Sequence, residues 1–89
     1  MLLGSGFELT EIADEYLVVP VGSNAIKFNG VVALNDAAAI LIKKMKKDVS
    51  RTELVNELLD SYDLDKDSAV KDVDTFIENL SKMGIIEVN

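Results

Sequence analysis

Asp63, Asp65 and Asp67 stand at the one-three-five spacing of a calcium-binding loop, with Asp74 at the twelfth position. Such a loop needs glycine at its sixth position for a sharp turn, and Ser68 occupies it here. The same carboxylates suit the start of a helix, where free amides and the positive dipole end favour negative charge; Asp65 or Asp67 then reads as a cap. The pairs Asp72/Asp74 and Asp14/Glu15 could serve general acid–base chemistry only if their surroundings shifted a pKa, and the sequence around them is polar. Lys43, Lys44, Lys46 and Lys47 could meet a polyanion. Their place at the end of a helical pattern equally fits cations complementing the negative dipole end.

The chain has no cysteine and no histidine. That removes disulfides, thiolate and imidazole metal sites, and the commonest nucleophile–base pairs. Asp60-Ser61-Tyr62 has the outline of an acyl-carrier attachment site, but the serine closes a helical pattern and does not open one. With 89 residues, one domain over 1–89 is expected, enough for a core but not for a cleft between lobes. The expectation is a non-catalytic protein with no metal and no cofactor. The longest apolar stretch, Gly30 to Leu34, is too short to span a bilayer, and residues 1–6 lack the pattern of a signal peptide. A cytoplasmic protein without a membrane partner is therefore expected. Net charge is −7, with most of the excess acid after residue 50, which disfavours a nucleic-acid partner.

The elements that must position these residues read as strands first and helices second. Phe7 to Ala13 and Tyr16 to Val21 favour β structure and are separated by Asp14-Glu15, which predicts a tight antiparallel hairpin. Pro20 suits a strand end, and Gly22-Ser23-Asn24 is a turn signal. Ala25 to Phe28 is expected as the third strand, with Ile26 and Phe28 on the core face and Lys27 and Asn29 on the wet one. A kink at Asn29-Gly30 then leads through Val31 to Leu34 into a helix cap at Asn35 or Asp36.

The first helix, to about Lys46, presents Ala37, Ala38, Leu41, Ile42 and Met45 as its apolar stripe. Ser50 and Glu53 form a capping box for a helix reaching Ser61 or Tyr62. The last helix begins within 65–68, carries Val70, Val73, Ile77 and Leu80 with Phe76 beside them, and stops at Met83-Gly84, where glycine fits a left-handed cap. Ile85, Ile86 and Val88 form a final extended segment. The fold class is thus α+β: an N-terminal three-stranded antiparallel sheet followed by a three-helix bundle, the content of a winged-helix domain. An acidic winged-helix regulator or protein–protein adapter is one function such a chain could have, although Asp72, Asp74 and Glu78 give the candidate recognition helix the wrong charge for a DNA groove.

Val19-Pro20-Val21-Gly22, Phe28-Asn29-Gly30, Leu34-Asn35, Tyr62-Asp63-Leu64-Asp65, Asp72-Val73 and Met83-Gly84-Ile85-Ile86, in that order and spacing, resemble the PqqD-like proteins. These are the recognition elements of ribosomal peptide biosynthesis, and the likeness runs from about Phe7 to Ile86. It implies a winged-helix-like peptide chaperone that binds the leader segment of a precursor peptide. The chaperone presents it to a modifying enzyme, frequently of the radical S-adenosylmethionine type.

Sheet-edge chemistry suits that reading, because an edge strand offers unpaired amides and carbonyls to an extended peptide. Carried onto this chain, Ala25, Ile26, Lys27, Phe28, Asn29 and Gly30 would supply the main-chain bonds. Pockets would be lined from among Ile26, Phe28 and Val32 on the strand and Val73, Phe76, Ile77 and Leu80 on the last helix, with Phe76 as the preferred exposed wall and Asp72 favouring a basic leader. An open edge can also pair with its own copy, so a monomer or a strand-swapped dimer is expected.

Overall fold

The computed structural model describes residues 1–27 and 30–88. A short strand β1 (Leu2–Leu3) is followed by β2 (Phe7–Ile12) and β3 (Glu15–Pro20). Ala13 and Asp14 join the latter two with φ of 52° and 66°. Positive φ at both central residues is what a type I′ turn requires, and its twist matches that of the strands it joins. The hairpin pairs antiparallel from Phe7 opposite Pro20 to Ile12 opposite Glu15.

Residues Asn24–Lys27 do not continue the sheet. They form a turn of helix, α1, in which the amides of Asn24, Ala25 and Ile26 donate to the carbonyls of Val21, Gly22 and Ser23. Ala25, Ile26 and Lys27 are all exposed there, Ile26 at 90%. The third strand predicted over Ala25 to Phe28 is therefore displaced: it is β4 (Val32–Leu34), pairing antiparallel with β3. The turn signal at Gly22-Ser23-Asn24 propagates one residue at a time through i→i+3 bonds and outweighs the period-two alternation after it. Phe28 and Asn29 lie outside the described residues.

Leu34 passes directly to Asn35, whose side chain accepts from the Ala38 amide at 2.8 Å and caps α2 (Asp36–Lys44). Ser50 and Glu53 close both halves of a capping box on α3 (Arg51–Ser61). Asp65 accepts from the Ser68 amide at 2.7 Å and caps α4 (Lys66–Lys82). Gly84, at φ 73°, turns the chain into β5 (Ile86–Glu87), which pairs antiparallel with β1. Every layer contributes a fully buried side chain to one core: Val18 from the sheet, Ile42 and Met45 from α2 and its cap, Leu54 and Leu58 from α3, Val73 from α4 and Ile85 after it.

Arg51 at the start of α3 reaches across to Asp74 on α4, with Nε to Oδ1 at 2.5 Å and Nη2 to Oδ2 at 2.8 Å. Asp74 thus serves a helix–helix clasp. The hydrogen bond from Arg51 holds its carboxyl below the usual carboxylate range, and the bond from Ser68 does the same for Asp65. A carboxyl with a depressed folded-state pKa contributes stability that is complete above its unfolded value and disappears as pH falls through the folded one. Melting temperature is therefore expected to drop on acidification from about pH 5 toward pH 2. In Asp74→Asn the drop should be shallower, and a parallel drop in the two proteins would show that the clasp contributes nothing measurable.

Candidate functional site

The sheet order is β2-β3-β4, so β4 has a strand on one side only. Val32 and Leu34 are half-buried and pack against the core, whereas Ala33 is exposed. Among the described residues no strand covers the outer edge of β4. Its outward amides and carbonyls are placed to pair with an added strand. Because no loop separates β4 from α2, this edge runs straight into the first turn of that helix.

There a groove of about 400 Å³ lies between Ala37 and Ala38 on α2 and Lys71, Thr75, Phe76 and Asn79 on α4, with Leu41 and Leu58 beneath. A second hollow of about 400 Å³ shares Asn35, Ala37, Leu58 and Asp72 with the first and extends to Tyr62 and Leu64 in the connection between α3 and α4. The two are one continuous trough. Two alanines at the start of α2 leave room that larger side chains would fill, and half-buried Phe76 makes a wall without closing it.

The sequence-derived site residues divide. Asp72 and Phe76 line the trough, and Val32 sits on the edge strand. Gly30, at φ 105°, forms the bend before β4. Val73 is completely buried and Leu80 is 5% exposed, so both are core and not groove wall. Ile77 is half-buried against the same core. Ala25, Ile26 and Lys27, on α1, lie outside the β4 ladder and line neither hollow. Sequence reasoning missed Asn35, Asp36, Ala37, Ala38, Tyr62 and Leu64 as trough residues. The available signal was the small pair Ala37-Ala38 in the first turn of a helix whose large core residues are Leu41, Ile42 and, at its cap, Met45, and the apolar Tyr62 and Leu64 between two helices.

Two of the four clustered lysines have local partners. Lys43 donates from Nζ to the Tyr16 hydroxyl at 3.0 Å and stands 4.3 Å from its ring centroid, while Lys44 pairs with Glu57 at 3.4 Å. The Tyr16 bond raises the Lys43 pKa. Among the described residues no three acidic side chains are grouped to hold a metal ion, and no helix is long and apolar enough to cross a membrane.

An antiparallel three-stranded sheet with an open edge, backed by three helices that form a trough beside it, defines a small winged-helix-like α+β domain. Two solved structures share it. One, described as TbiB1 in complex with the TbiA(beta) leader peptide, superposes with a TM-score of 0.81 at 15% identity, covering 100% of this chain and 98% of that one. The other, a lasso peptide synthetase B1 complexed with the leader peptide, gives 0.74 at 17% identity over 93% and 92%. At such identities the likeness is one of fold. No curated protein matches the chain by sequence. The profile of the family described as Coenzyme PQQ synthesis protein D (PqqD) matches residues 15–86, and the chain belongs to that family.

Proposed function

We propose that this protein binds the leader segment of a ribosomally synthesised precursor peptide. The leader adds as a fourth strand to the outer edge of β4, and its side chains enter the trough between α2 and α4. The observation that carries this reading is the continuity of edge and trough at Leu34-Asn35-Asp36, which offers an extended peptide main-chain pairing and side-chain pockets in one surface. Family membership supports it, as do the two structures of the same fold whose descriptions name leader peptides.

The protein itself performs no chemistry on this reading. It presents the bound precursor to a modifying enzyme of the same biosynthetic system, a radical S-adenosylmethionine enzyme being one such class, in the cytoplasm. Free of peptide, it is a monomer or a dimer paired through the same edge. The acidic residues Asp72, Asp74 and Glu78 on the exposed side of α4 disfavour the competing role of a duplex-binding regulator.

Titration of isotope-labelled protein with the small precursor encoded beside its gene, followed through backbone amides by NMR, tests the reading. Shifts are expected in residues 31–38 and 71–79, and not in the hairpin turn at Ala13-Asp14. Absence of shifts with any neighbouring precursor would overturn leader binding. Shifts confined to α1 would overturn the β4 edge as its place.

A further inference from the structure

The far end of the trough has an apolar floor and an acidic rim. Leu58 lies beneath, with Ala37 on one side and Tyr62 and Leu64, 36% and 37% exposed, on the other. Asp36, in the first turn of α2, and Asp72, on α4, stand at its mouth. Several nearby acids are engaged: Asp65 caps α4, Asp74 clasps Arg51, Glu57 meets Lys44 and Glu78 meets Lys82, while Asp60 and Asp67 line neither hollow. Asp36 and Asp72 enter no ion pair or side-chain hydrogen bond among the described residues. Among the described residues no cationic side chain lines this end, Lys71 belonging to the other.

A purely apolar occupant would leave two carboxylates beside it without a counter-charge. A neutral polar one would waste the floor. Lysine and arginine are the side chains that bury an aliphatic stem while keeping a charged head at the rim, and a guanidinium can in addition stack on a tyrosine ring.

We propose that this end of the trough is a specificity pocket for a lysine or arginine of the bound leader, its stem on Leu58, Tyr62 and Leu64 and its head between Asp36 and Asp72. The inference rests on the leader-binding reading and adds the chemistry by which leaders are chosen. Complementary charge across an exposed rim also raises the rate of encounter and makes it salt-dependent.

The test uses the leader of the precursor encoded beside the gene, made as a synthetic peptide, and a series in which each lysine or arginine in turn becomes norleucine, which keeps a stem and removes the charge. Affinities are measured for the wild-type protein and for the Asp36→Asn/Asp72→Asn variant, with melting temperatures as a check on folding. One peptide of the series is expected to lose about tenfold in affinity for the wild type, and the variant should lose as much for the parent leader. For that peptide and the variant together, little further loss is expected, the signature of one shared interaction.

Equal affinity of the variant for parent and norleucine peptides without any loss from the wild type would overturn the pocket while leaving leader binding intact. So would a tightly bound leader that contains no basic residue. A leader that fails to bind the wild type overturns both readings, and is told apart from the first result by that failure alone.

Discussion

Proline placed at Ala33 or at Val32 is expected to give two opposite phenotypes. In an antiparallel ladder, successive residues send their N–H groups to opposite sides of the strand. One of the two prolines therefore removes a donor from the outer edge of β4, and the other removes one that β4 gives to β3. The outer loss leaves a peptide carbonyl without its partner in a partly desolvated surface, a cost of about 1–3 kcal/mol. Leader affinity should fall about 10- to 100-fold while the melting temperature stays near that of the wild type. The inner loss should instead lower stability first. Calorimetric titration of both variants, with thermal melts alongside, separates the two. Retained affinity in a well-folded variant at both positions would exclude strand addition at β4, whatever else the protein binds.

Replacing Leu54 by alanine should be among the most damaging of simple core truncations. Leu54 is fully buried on α3 and belongs to the cluster that includes Ile42, Val73 and Ile85. Leu→Ala in such a site costs about 2–5 kcal/mol, the lost transfer energy plus the cavity left behind. A domain of this size has about 5–10 kcal/mol of stability in total, so the variant should melt about 10–25 °C lower. Saturating leader returns part of that loss, because a ligand present at about 100 times its Kd stabilises the folded state by about 2.7 kcal/mol. A Leu54→Ala protein that melts within a few degrees of the wild type would mean that the core around α3 collapses to fill the space.

What could be seen in the sequence was what local chemistry determines. The hairpin was legible from two β-rich runs and a two-residue gap, although the turn falls one residue earlier, at Ala13-Asp14. The capping box at Ser50 and Glu53, the cap at Asp65 and the left-handed Gly84 were legible because each is a contact within a few residues. Ile26 was misread for a physical reason. An isoleucine alternating with polar neighbours normally faces a core, and here it stands on a helical turn almost wholly in solvent.

The pairing of Ile86 with Leu3 brings together the two ends of the chain, and nothing local signals it. The trough was half-legible. Phe76 followed from a helix stripe already satisfied by Val73 and Leu80, but Ala37, Tyr62 and Leu64 meet only through the packing of three helices.

The direct passage from β4 to α2 also bears on how fast a peptide comes and goes. Among the described residues no loop separates the strand edge from the first turn that lines the trough, so no hinge at that junction has to close. Leaders that differ in sequence should arrive at similar rates, set by diffusion and charge, and differ in how long they stay. On the leader-binding reading, a modifying enzyme working downstream would meet populations sorted by residence time.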